Sequence, residues 1–247
     1  MDALLIAEDG DGRACFDAND KNAIEATLAR CVAADQTILR TASGSLPPLY
    51  RLRSFEETAQ GLSLRLGRTD YGEYLFSNVE HPERRAERGD DAMSDALAVC
   101  AVLVTGDGFA VYGPRSSRIA DLATDQKYFH VLPSGHPEPP QGIVDGLFTE
   151  LQEEAGVHRG EVQRALLTGL IRAQPSGKPE LTFLLETRAT LADIRSRSAR
   201  DAWEFDSIEG FPWTQIGARE WLTKHRRDAV APGHAAIALA ARLQFGS

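Results

Sequence analysis

Cysteine is scarce in this 247-residue chain. Cys15, Cys31 and Cys100 are far apart and odd in number, which argues against a disulfide framework or a cysteine zinc site. They read as reduced, partly buried thiols. Basic residues are outnumbered, 27 Lys and Arg against 36 Asp and Glu, for a formal net charge of -9. That balance argues against general coating of DNA or RNA, which needs basic surface to release counterions. It leaves room for a small phosphate ligand held by a few local cations or a metal. No apolar run approaches the roughly 20 residues of a membrane-spanning helix. The first residues, Met1 to Ile6, carry no basic region ahead of their short apolar run, so no secretory signal is predicted. A cytoplasmic protein with no membrane partner is expected. Internal repeats and low-complexity tracts are also missing.

What is present suits a globular protein. Apolar residues make up 43% and charged residues 26%, enough for a sizeable core. The length fits one domain with a smaller subdomain. Short strands are predicted at 3–7, 50–53 and 62–66, and a helix over 20–34 with Ile24, Leu28 and Cys31 on one face. Thr69 is the predicted N-cap of a short helix that follows. The almost wholly polar stretch 80–92 is the best candidate linker, dividing an N-terminal α+β subdomain (1–90) from a main domain (91–247). From Leu97 to Thr105 runs a continuous apolar segment, the mark of a buried central strand. A turn at 106–108 leads back through a strand at 109–112, and further strands are expected at 128–132, 166–172, 181–187 and 208–213. Helices are expected over 143–155, stopped by Gly156, and over 220–224 and 235–243. The pattern is that of a mixed α+β, layered domain.

The informative segment is 135–157. Glu150, Glu153 and Glu154 are three and four residues apart, so a helix places them on one face. Crowded carboxylates raise one another's pKa, and a helix keeps them cheaply only against water or a cation. Oxygen-only ligation suits Mg²⁺ or Mn²⁺, which bind substrate phosphates while keeping waters. A bare cluster of this kind is more often a solvated face. Here it is preceded at a fixed distance by a Gly/Pro-rich loop and by a strand, and it stops abruptly at Gly156-Val157.

With those features the segment resembles the box of the Nudix hydrolases. Gly135 matches the first glycine, Glu150-Leu151 and Glu153-Glu154 the acidic core, and Gly156-Val157 the close, without a gap. Two positions depart: Gln141 stands where the pattern has Glu, and Thr149 where it has Arg. The resemblance extends to the branch that hydrolyses UDP-glucose and UDP-galactose. It is carried by Tyr50-Arg51-Leu52, Leu64 to Gly67 with Thr69 and Tyr71, Asn78, Ser117 to Ala120, Gly135 to Pro139, Leu167 with Gly169 and Arg172, Glu180, and Gly210-Phe211.

The resemblance implies an α/β/α sandwich and a Mg²⁺-dependent (or Mn²⁺-dependent) pyrophosphatase. Glu150, Glu153 and Glu154 would be catalytic and metal-binding, with the Gly135 carbonyl as a further ligand. Arg118 and His136 would meet phosphate. Arg172 and Glu180 would face the site, or else pair with each other across their hairpin. Tyr71 and Asn78 would stack on and read a uracil, the plainer alternative for Tyr71 being packing within its own domain. Trp203 reads as core or edge packing. Three functions follow: cleavage of a nucleoside diphosphate sugar, cleavage of another nucleoside diphosphate derivative such as ADP-ribose or a dinucleotide, or nucleotide sensing without cleavage, motivated by Gln141 and Thr149.

Overall fold

A computed structural model of the chain describes residues 3–8, 12–34, 36, 38, 45–59, 61–120, 128–197 and 202–246. The elements run β1 (Ala3–Glu8), α1 (Ala18–Ala33), β2 (Pro48–Thr58), β3 (Gly61–Asp70), α2 (Tyr71–Tyr74), a π-helical turn (Leu75–Glu80), α3 (Arg84–Arg88), β4 (Ala98–Val104), β5 (Phe109–Pro114), β6 (Phe129–Val131), β7 (Ser134–Gly135), α4 (Ile143–Ala155), β8 (Val162–Ala173), β9 (Lys178–Thr187), α5 (Leu191–Ser196), β10 (Glu209–Pro212), α6 (Gln215–Lys224) and α7 (Ala231–Phe245). Among these residues two sheets form. The larger has the order β10-β5-β4-β9-β8, with β6 on β5 and β7 on β4. The smaller has the order β1-β3-β2.

Every residue of β4 is buried, and its alternation sorts the core. Val99, Ala101 and Leu103 pack with Ile143, Leu147, Leu151 and Ala155 of α4. Cys100, Val102 and Val104 pack with Ala218 and Trp221 of α6 and Ala236, Ile237 and Ala240 of α7. A strand covered on both faces needs apolar side chains at both parities, so β4 reads as a continuous run. The result is an α/β/α sandwich in a mixed α+β chain, as expected. No described helix is long and apolar enough to cross a membrane.

The N-terminal sheet shares the first of these clusters. Tyr50, Leu52, Leu64 and Leu66 join Leu97 and Val99, and Leu97 donates to the Tyr50 carbonyl at 2.7 Å. The charged stretch between them is folded, not extended. Arg84 of α3 is buried, donates twice to Asp20 of α1 at 2.9 and 2.8 Å, and lies over the Phe76 ring. A distant acid and an aromatic face thus absorb a charge that reads locally as solvated.

Two further differences are local. Asp70, not Thr69, caps α2 by accepting from the Glu73 N–H, while the Thr69 hydroxyl donates to the Glu73 carboxylate. Helix α5 was not anticipated, although Thr190 and Asp193 form a capping box at its start.

Candidate active site

Helix α4 and the loop before it build the site. Its apolar residues recur every four positions and bury one face, which turns Glu150 and Glu153 the other way. Gly156 ends the helix in the left-handed conformation, φ 63°, where a side chain would be strained. On the loop side, β7 pairs with β4, Gly135 opposite Val99. A Cβ on Gly135 would meet the Glu150 carboxylate at 2.1 Å, so only glycine lets this acid lie against the strand. Along the parallel β4–β9 pair, Ala98 stands opposite Glu180 and brings that acid to the same edge.

These elements enclose a cavity of about 370 Å³. One kind of wall is ionic and polar: Glu150, Glu153, Glu180, Glu204, Arg115 and Lys178. The other is apolar and aromatic: Pro47, Leu49, Tyr71, Ile119, Trp203 and Val230. His136 lies on the wall in a cluster of three rings, 6.1 Å from Tyr71 and 5.4 Å from Tyr74. Its Nε2 is buried and has no hydrogen-bond partner among the described residues. Burial, with Lys178 and Arg115 nearby, pushes the His136 pKa well below the usual histidine range, so the ring is neutral.

Glu154 does not line the cavity. It is fully buried; its Oε2 accepts from the Ser134 N–H at 2.9 Å, while its Oε1 lies 3.5 Å from Arg115 without a formed hydrogen bond. Burial, with Glu204 and Glu150 adding repulsion, raises its pKa well above the carboxylate range against the pull of Arg115. Glu180 is likewise buried, 3.2 Å from Lys178, and its Oε2 also lacks a hydrogen bond. No three His, Cys, Asp or Glu side chains among the described residues converge as a ready metal site. The donor set nevertheless fits a hard cation: it is all oxygen, and two of its buried oxygens are short of hydrogen bonds.

Three expected binding residues do not line the cavity. Asn78 is fully buried and its amide is occupied: Nδ2 donates to Asp95 and to the Ser176 carbonyl, and Oδ1 accepts from the Asp95 N–H. Arg172 donates to Asp95 at 2.9 Å and to the Gly177 carbonyl at 3.1 Å, not to Glu180. Arg118 is exposed in the turn after β5, over the Trp203 ring. The arginine at the site is Arg115, which holds Glu204 at 2.9 Å and lies over Phe205. Alternation along β5 carries the signal for it, because Arg115 shares parity with Val111 on the α4 side. Trp203, read as packing, lines the cavity.

The two departures from the box pattern touch each other. Gln141 Nε2 donates to the Thr149 hydroxyl at 2.7 Å, and Thr149 donates to the Asp145 carbonyl. Tyr50 donates to the Gln141 carbonyl at 2.9 Å and ties this pair to the N-terminal sheet. A neutral amide–hydroxyl contact thus fills the place where an acid and an arginine would form an ion pair.

The chain is similar to several characterised proteins. It is 28% identical over 181 residues to the human protein named uridine diphosphate glucose pyrophosphatase NUDT22, covering 60% of this chain and 58% of that one. It is 25% identical over 174 residues to Nudix hydrolase 9 of Arabidopsis thaliana, covering 57% and 55%. The chain therefore spans under two thirds of the length of the curated relatives it matches. Among solved structures, an Ap4A hydrolase binary complex from C. elegans overlaps 61% of this chain and 98% of that one, at TM-score 0.39 and 12% identity. No family model matches the chain.

Proposed function

Because the chain belongs to the Nudix hydrolase superfamily, we propose that it is a divalent-metal-dependent pyrophosphatase of a nucleoside diphosphate sugar, UDP-glucose or UDP-galactose. The observation that carries this reading is the pairing of walls in one cavity. Carboxylates of α4 meet an apolar, aromatic surface suited to a base and a sugar. The names of the mammalian relatives supply the choice of UDP-glucose.

Glu150, Glu153 and Glu154, with the Gly135 carbonyl, would hold Mg²⁺ or Mn²⁺. The bound ion neutralises diphosphate charge and lowers the pKa of a bound water. The protein's own part is placement. Glu150 is held against Gly135, Arg115 balances Glu154 and Glu204, and Glu180 supplies a further buried acid beside the reacting groups. Tyr71 and Trp203 offer ring faces to the uracil, with neutral His136 packed against Tyr71 and Tyr74. Water attacks one phosphorus, the bond from that phosphorus to the bridging oxygen breaks, and UMP and sugar 1-phosphate leave.

The test is incubation with UDP-glucose and Mg²⁺, with an EDTA control, followed by chromatography. Metal-dependent UMP and glucose 1-phosphate are expected. Preference for an adenine nucleotide overturns the uracil assignment. Intact substrates with a raised melting temperature overturn the hydrolase reading in favour of sensing.

A further inference from the structure

We propose that Lys178 is a phosphate-binding residue of this cavity, held at its wall by a clamp on the turn between β8 and β9. The inference rests on the reading that the cavity receives a diphosphate. Four nitrogen bases line the cavity among the described residues: Arg115, Lys178, His130 and His136. Both imidazoles are kept neutral by burial. Arg115 lies 2.9 Å from Glu204 and 3.5 Å from Glu154, over Phe205, with its side chain only 10% exposed. Lys178 differs in shape and reach. Its side chain retains 14% exposure, its stem is flexible, and its ammonium meets Glu180, two residues along the same strand face. An ammonium has three donors and can hold Glu180 and a phosphate oxygen together. It also lies 5.9 Å from the centre of the Tyr74 ring, beside His136.

The chain takes trouble over where this lysine sits. The two residues of the turn that lead into it are tied down, and so is its own N–H. The Ser176 carbonyl accepts from Asn78 at 2.9 Å, the Gly177 carbonyl accepts from Arg172 at 3.1 Å, and the Lys178 N–H donates to the Ser176 hydroxyl at 3.2 Å. Asn78 and Arg172 are in turn fixed by Asp95, which also pairs with Arg85. The anchoring that fastens the turn also limits where the Lys178 ammonium can move, and a cation that meets a phosphate gains from such placement.

Inorganic pyrophosphate in the presence of Mg²⁺ is the probe, titrated calorimetrically into the full chain. Lys178→Met is expected to weaken binding at least about tenfold, the loss of one charge-assisted contact. Lys178→Arg should stay within about threefold of wild type. Arg172→Met should weaken pyrophosphate about threefold and raise KM for UDP-glucose with little change in kcat, and Arg172→Lys should restore most of that loss. Melting temperatures separate these effects from unfolding. Equal pyrophosphate binding by wild type and Lys178→Met, or no binding by wild type, overturns the proposal. Pyrophosphate binding that depends on Lys178, in a protein that leaves UDP-glucose intact, overturns the hydrolase reading alone.

Discussion

Glu154 and Asp95 are both acids buried to within a percent of completely, and they are treated in opposite ways. Asp95 is surrounded by donors: Asn78 and Arg172 reach its carboxylate at 3.1 and 2.9 Å, and Arg85 closes on both oxygens. Its backbone takes a positive φ of 45°, uncommon outside glycine, to accept them. Glu154 has one backbone donor and an arginine at 3.5 Å, and an oxygen left without a hydrogen bond. A saturated acid is a fastening. An acid left short of donors is what the proposed metal role of Glu154 would call for.

The contrast breaks most sharply at Glu154. Glu154→Gln should lower hydrolysis by roughly 10²–10³-fold, the scale of losing a main electrostatic element, with the fold retained by circular dichroism. Because the folded pKa of Glu154 is raised, its contribution to stability is present below the ordinary carboxylate value of 4.5 and is lost as pH rises through the folded one. The non-titrating variant should therefore gain melting temperature relative to wild type as pH rises. Retained activity, or the opposite slope, would sink the assignment. Asp95→Ala should do the reverse and act first on stability. It leaves Arg85 and Arg172 without their shared acid, and both are about 30% exposed. A loss of about 2–3 kcal/mol is expected in urea unfolding, discounted for that exposure from the cost of stranding a fully buried charge. The smallest effect belongs to Thr149→Ala, which removes two neutral, partly exposed hydrogen bonds. About 1 kcal/mol and less than a tenfold change in turnover are expected, and a total loss of activity would show that this pair does more than fasten the loop.

Much of this was legible in sequence, for physical reasons. Strand β4 is apolar at both parities because both its faces are covered. Helix α4 announced its limits through its acidic spacing and Gly156. Less legible were the contacts of residues whose partners lie far along the chain. Asn78 meets Asp95 across 17 residues and Arg172 meets it across 77, and no local pattern encodes such encounters. Arg118 drew attention through its motif, yet the strand's alternation favoured Arg115. Lys178 could have been found by the same rule, two residues before Glu180 on one face of β9. The stretch 80–92 was read from its composition alone, which does not show that Arg84 finds Asp20.

The contact between Gln141 and Thr149 has a consequence for the conditions under which the site keeps its shape. Neither partner carries or acquires a charge, so added salt has nothing there to screen and acid nothing to discharge. The loop that delivers Gly135 and His136 is thus fastened to α4 by a clasp indifferent to ionic strength and to proton concentration. Sensitivity of the fold to either must come from its ion pairs and buried acids, among them Arg84–Asp20, the Asp95 cluster and Glu154, and not from this joint.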